Sequence, residues 1–115
     1  PGGGGAAVML PTAQRVATWR TEHSTRTLVD KLDFVTAAGN LAALVTPIAV
    51  FQRTTGRFRL ESWHPDSSIE EVVARTGFKF DAAGAGPTTP PTAAETAALR
   101  EIDVDGSFET EAAIK

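Results

Sequence analysis

Four glycines, Gly2 to Gly5, stand directly before the apolar run AAVML. Glycine strings serve either as slack connections or as places where main chain must come very close to a ligand. The residues alone leave both readings open. GGGGA lacks the Lys-Ser/Thr ending of a phosphate-binding loop. It also lacks the last glycine of the dinucleotide pattern, because the position after Gly5 that should be glycine is Ala or Val. His23 and His64 are the other obvious carriers of chemistry. They have no H-x-x-x-H spacing, and with Glu22, Asp33, Glu61 and Asp66 they make only a weak metal set, so a structural or surface role is expected of each. No G-x-S-x-G nucleophile elbow occurs.

The remaining charged residues have ordinary explanations. Glu70, Glu71 and Glu95 suit helix starts and solvated helix faces. Arg57 and Arg59 fall on the polar side of an alternating segment and read as surface charges, while Trp19 and Trp63 read as core or interface anchors. Taken singly, these residues support an α/β domain and nothing sharper.

The totals narrow the class. A chain of 115 residues suffices for one domain with a modest core. A net charge of -3 gives no electrostatic reason to expect nucleic acid. The longest apolar stretch, AALVTPIAVF, is too short for a bilayer and is interrupted by proline, so no membrane is expected. Cysteine is absent, which removes disulfides and thiolate metal sites, and a cytoplasmic location is the default. The missing initiator methionine favours a piece of a longer protein.

The elements that must position these groups follow from periodicity and punctuation. Residues 6–14 are expected to form a short helix or turn limited by Pro11, and 15–20 a strand. The stretch 21–27 is loop-like. Residues 28–40 suit a helix through Leu28, Leu32 and Val35, or a strand through KLDFVT, ending at Gly39-Asn40. Residues 44–52 are apolar on both faces and predict a doubly buried strand with Pro47 at an edge, bulge or strand start. The turn RTTG and the strand 57–63, with Phe58 and Leu60 on one face, complete a β-hairpin at about 44–63. A helix at 67–77 is predicted with the capping box Ser67/Glu70 and Gly77 as its stop. After a surface connection at 81–91, a helix at 92–103 carries the box Thr92/Glu95 with Leu99 and Ile102 facing inward. The tail after Gly106 is polar.

The order of these pieces is more telling than any one of them. GGGGAA, WRTEHSTRT, LVDKLDFVTAAG, VTPIAVFQ, then GRFRLESWHPDSSIEEVVARTGFKF and PPTAAETAALREID follow one another along the chain. This order resembles the C-terminal part of the β subunit of family I CoA-transferases. That family includes glutaconate, 3-oxoacid and 3-oxoadipate CoA-transferases and related subunit pairs of steroid-ring degradation. The matching features are a Gly-Gly-Ala loop; a strand ending in Glu22-His23-Ser24; an apolar strand ending in Ala49-Val50-Phe51; and the block from His64-Pro65 to Thr76-Gly77-Phe78. The SWHPDSSIEEV block and the PPT…E…LR-ID ending are most similar to the glutaconate-type branch.

The resemblance implies that residues 1–115 are the C-terminal part of one β-subunit domain. It also implies an open, largely parallel sheet flanked by helices. In the family an enzyme glutamate attacks an acyl-CoA thioester and becomes a glutamyl-CoA thioester. That residue lies near a Ser-Glu-x-Gly-type motif which this sequence lacks, so no catalytic residue is assigned here and Glu22 is not given the role. Coenzyme A would be a substrate, with no separate cofactor and no metal. Gly3, Gly4, Gly5 and Ala6 would form the loop beside the acyl-CoA, with an extra glycine where many relatives have Ser or another small residue. The implied partners are the N-terminal part of the same subunit and an α subunit in a hetero-oligomer, and the chain alone would be inactive. The alternatives are part of a related acyl-CoA hydrolase or ring-opening enzyme, or a non-catalytic interaction module.

Overall fold

The computed structural model describes residues 4–107. In chain order it contains α1 (Gly4–Thr12), β1 (Val16–Trp19), β2 (Leu41–Val45), β3 (Ala49–Thr54), β4 (Arg57–Trp63), α2 (Ile69–Arg75), β5 (Phe80–Asp81), β6 (Gly86–Pro87) and α3 (Ala93–Ile102). The six strands form one open sheet in the order β1-β2-β3-β4-β5, with β6 also on β4. The α/β class expected from the sequence is the class found. The sheet is mixed: β2, β3 and β4 pair antiparallel, while β1 runs parallel to β2 and the two short strands run parallel to β4.

The segment 44–52 is not one strand. It belongs to β2 and β3, which reverse direction around Pro47. Proline has no amide to give to a ladder, so the chain turns there instead of continuing. Thr46 closes the turn, its amide donating to the Ala49 carbonyl at 2.9 Å and its hydroxyl accepting the Ala49 amide at 3.0 Å. The apparent burial of both faces in sequence comes from two strands read as one. Across the real ladder Leu44 pairs with Phe51 and Phe51 with Leu60, and all three are buried.

These residues, with Leu28, Ala49 and Val72, form the core, sealed on one side by α2. Phe51 lies at its centre, with ring centroids 5.6 Å from Phe78 and 5.2 Å from Phe80 in edge-on contact. Trp63 packs at the rim of this cluster.

Local chemistry moves α2 by one residue from its expected start. Ser67 uses its hydroxyl on the Ile48 and His64 carbonyls, so Ser68 becomes the N-cap and accepts the Glu71 amide at 3.2 Å. Gly77 does not stop the helix, which ends at Arg75 with an extended Thr76. Gly77 is needed because its amide meets the Leu28 carbonyl at 2.7 Å and a Cβ there would overlap that carbonyl. The box on α3 forms as expected, and the Thr92 amide and hydroxyl hold the Glu95 carboxylate below its usual pKa.

Two expectations about apolar faces fail. Leu99 and Ile102 are 50% and 72% exposed, and α3 buries none of its residues. Residues 28–40 form neither helix nor strand beyond a single bridge from Val29 to Gly77, and Leu32, Phe34 and Val35 lie exposed. A mixed pattern becomes an element only when a partner surface selects one of its faces.

The β3–β4 hairpin turns on Thr55 and Gly56, whose φ angles are 52° and 81°. A β-branched residue fits the left-handed region poorly. Replacing Thr55 with Asn is expected to stabilise the chain by about 1 kcal/mol, and a denaturant titration would measure it. An unchanged or lower midpoint would contradict a strained turn.

Candidate functional site

Of the glycine-run positions, Gly3 lies outside the described residues. Gly4, Gly5 and Ala6 form the first turn of α1 and are exposed. The expected loop is therefore, over these three residues, a helix start. Its leading amides lack carbonyl partners within the helix, which concentrates donor character at that end. Nothing lies within 4 Å of where a Cβ on Gly4 or Gly5 would sit. The far end is closed by the Thr12 hydroxyl, which donates to the Val8 and Met9 carbonyls at 3.1 Å each. Pro11 lies inside the helix rather than after it, in the last turn, where its missing amide forfeits the bond to the Ala7 carbonyl. Gly39 packs against Leu10 so closely that a side chain there would overlap the Leu10 carbonyl, and the Asn40 side chain donates to the Gln14 carbonyl.

His23 is structural. It is 1% exposed, with Nδ1 2.8 Å from the Thr46 hydroxyl and Nε2 2.9 Å from the Thr76 hydroxyl. Thr76 donates to the Val72 carbonyl at 2.7 Å, so it can only accept from the ring, and Nε2 carries the proton. The Thr46 hydroxyl also lies 3.0 Å from the Ala49 carbonyl, but the Thr46 amide already meets that carbonyl, and the hydroxyl's one proton serves the shorter contact to Nδ1. This neutral tautomer satisfies every group. Burial, with the Arg75 charge adding to it and Glu71 opposing, lowers the His23 pKa from 6.5 to about 4.

His64 works on the same turn from another side. Its Nε2 donates to the Thr46 carbonyl at 3.1 Å and its Nδ1 faces the Thr88 hydroxyl at 3.1 Å. The two histidines thus converge on Thr46, one through the side chain and one through the backbone. Glu22 accepts the Ser24 hydroxyl at 2.6 Å on the surface. Among the described residues no group of three or more His, Cys, Asp or Glu could hold a metal ion. No helix among them is long and apolar enough to cross a membrane.

Two adjoining cavities flank the β3–β4 hairpin. One of about 780 Å³ is lined by Arg53, Arg57, Phe58, Lys79, Phe80 and Asp81 among others. The second, about 400 Å³, includes Leu10, Val16, Leu32 and Leu41. Arg53 and Phe58 line both, with the guanidinium 5.9 Å from the ring centroid. Arg57 and Arg59 are both exposed, as expected of surface charges, and both line a further cavity of about 620 Å³ together with Asp81. The sequence reading missed Arg53, although its place opposite Phe58 across the RTTG turn is a legible cross-strand position. It also missed Thr46, Thr76 and Thr88, whose hydroxyls meet the two histidines across long separations in sequence.

No protein-family model matches the chain. It is 30% identical over 122 residues to the β subunit of 3-oxoadipate CoA-transferase from Pseudomonas knackmussii, in an alignment that covers 90% of this chain and 46% of that protein. The crystal structure of the decarboxylase AibA/AibB aligns with a TM-score of 0.82 at 29% identity, over 96% of this chain and 47% of that one. Rhodococcus jostii RHA1 IpdAB aligns with a TM-score of 0.76 at 26% identity, over 84% of this chain and 46% of that one. The chain spans about half the length of the relatives it matches.

The buried imidazole sets a pH dependence. An unfolded chain takes up a proton on His23 below 6.5, whereas the folded chain resists until about 4, so stability is full above 6.5 and falls as pH drops through that window. The loss is on the order of 3 kcal/mol. Chemical denaturation followed across the window should show this slope, and the His23→Gln chain, less stable at neutral pH, should lack that share. An equal slope in both chains would remove His23 as its source.

Proposed function

We propose that this chain, a relative of the C-terminal part of family I CoA-transferase β subunits, supplies scaffold and a glycine-led helix start for moving CoA between an acyl-CoA and a carboxylic acid. The observation that carries the reading is similarity along nearly the whole chain to a CoA-transferase β subunit. The exposed, unobstructed Gly4-Gly5-Ala6 turn supports it.

In the proposed reaction a glutamate outside this chain attacks the thioester carbonyl and expels the CoA thiolate, leaving a mixed anhydride. The thiolate then attacks the glutamyl carbonyl and releases the first carboxylate, giving a glutamyl-CoA thioester. An acceptor carboxylate reverses the two steps on a new acyl group and restores the glutamate. Negative charge gathers on a carbonyl oxygen at each attack. Main-chain amides at the start of α1 are suited to stabilise it, since without side chains at Gly4 and Gly5 the backbone can come close. Gly3 would extend the same surface.

The partners in this reading are the N-terminal part of the same subunit and an α subunit, in a hetero-oligomer acting on acyl-CoA. Residues 1–115 then form part of one domain and catalyse no transfer alone. Similarity to a decarboxylase supports only that this scaffold also serves chemistry other than transfer, and in a second reading the chain is part of a related acyl-CoA hydrolase or ring-opening enzyme.

Isotope exchange between labelled acetate and an acyl-CoA, catalysed by the assembled enzyme, separates the two: label enters the acyl-CoA pool in a transferase, whereas CoA is released without exchange in a hydrolase. Gly5→Ala supplies a sharper test. Alanine favours helix by roughly 1 kcal/mol over glycine in an interior and less near an end, and no neighbour opposes it here. The variant should therefore be no less stable, yet exchange at least about tenfold more slowly if a Cβ intrudes on the ligand. Undiminished exchange would remove this turn from the site.

A further inference from the structure

Arg53 stands on the core face of the sheet. It pairs across the hairpin with Phe58, and Phe58 pairs with Phe80, so the three form a row on one face of β3, β4 and β5. Phe51 and Leu60, both buried, lie on that same face two residues away. Arg53 is half-buried there, its guanidinium over the Phe58 ring, with no ion pair or side-chain hydrogen bond among the described residues. A guanidinium carries five donors, and partial burial without an acceptor for them is costly.

The surroundings add charge of the same sign. Arg57 and Lys79 line the 780 Å³ cavity with Arg53, and Arg57 and Arg59 line the neighbouring one of about 620 Å³. Four of the eleven Lys and Arg residues therefore gather at the Thr55-Gly56 end of the hairpin, in a chain whose net charge is -3. None of the four is ion-paired among the described residues. The carboxylates facing them are Asp30 and Asp81, and Asp81 already accepts the Ala83 amide at 2.9 Å. The floor is aromatic, made by Phe58, Phe78 and Phe80.

We propose that this cavity binds a nucleoside monophosphate, its phosphate held by Arg53, Arg57 and Lys79 and its base laid against the phenylalanine floor. Phosphate offers enough oxygens to meet two guanidinium forks and an ammonium together, which a single carboxylate does not. The volume falls within the range of small-ligand pockets and leaves room beside the phosphate for a sugar and a ring. The site is separate from the one assigned to acyl-CoA. Gly4, Gly5 and Ala6 do not line it, and the hairpin turn lies at the Val16–Leu41 end of the sheet, away from the Thr46 turn.

Isothermal titration calorimetry of the chain at low ionic strength tests this with inorganic phosphate, ribose 5-phosphate, UMP and coenzyme A. UMP should bind with a Kd below about 1 mM. It should bind at least about tenfold more tightly than ribose 5-phosphate, because a base resting on aromatic side chains contributes about that much. Arg53→Gln and Lys79→Gln should each weaken UMP by about tenfold or more, whereas Arg100→Gln on α3, which removes the same charge away from the cavity, should leave affinity unchanged. Lys79 is exposed, so its variant reads the site even where Arg53→Gln disturbs the fold. Absence of UMP binding overturns the proposal, as does equal affinity for UMP and inorganic phosphate, or an equal loss in Arg100→Gln. Coenzyme A binding as tightly as UMP, with the same dependence on Arg53 and Lys79, would merge this cavity with the acyl-CoA site and overturn it as a separate one. Isotope exchange by the assembled enzyme is unaffected by Lys79→Gln if the two sites are distinct, so the functional reading stands or falls independently.

Discussion

Thr46 is the point on which the sheet turns. Its backbone and hydroxyl close the reversal between β2 and β3, while His23 holds its side chain and His64 its carbonyl. The turn contains a proline and would otherwise leave polar groups buried beside Phe51. Both ring nitrogens of His23 are occupied, so the network is complete without a bound ligand or ion. A satisfied polar network in low dielectric is stiff, whereas a half-satisfied one is costly. The Glu22-His23-Ser24 segment is therefore architecture, in line with the structural role expected of His23, which fastens the loop after β1 to the hairpin and to the end of α2.

The stiff centre contrasts with the periphery. Among the described residues six buried apolar side chains make the core, whereas Val8 and Met9 of α1, Leu99 and Ile102 of α3, and Leu32, Phe34 and Val35 face outward. Such a distribution is poor for an isolated domain, since the fraction of surface buried falls steeply in small chains. In the proposed reading this is the pattern of one part of a larger sheet, whose outer helices meet a neighbouring layer. The match to about half the length of the relatives has the same sense.

The proposed chemistry depends on this division. A helix start with bare main chain can approach a thioester only if the strand behind it is held in register, and that register runs from β1 through β2 to the Thr46 turn. The attacking carboxylate, in this reading, is delivered by another stretch of polypeptide. Separating the nucleophile from the oxyanion donors means that neither half can act until they are joined.

Sequence alone determined the elements whose causes are local. The strand at 57–63 follows from alternation, the Thr55-Gly56 turn from its glycine, and the α3 cap from Thr92 and Glu95 three residues apart. The resemblance to a CoA-transferase subunit was also legible, because it rests on the order of short motifs. Tertiary structure decided what depends on contact at a distance. It split 44–52 at Pro47, moved the α2 cap from Ser67 to Ser68 by engaging Ser67 with Ile48, and gave Gly77 to the Leu28 carbonyl. It also made His23 a buried neutral linker, since the two hydroxyls that satisfy it lie 23 and 53 residues away. Periodicity reports what a residue could face, and only the packed chain supplies the surface it does face.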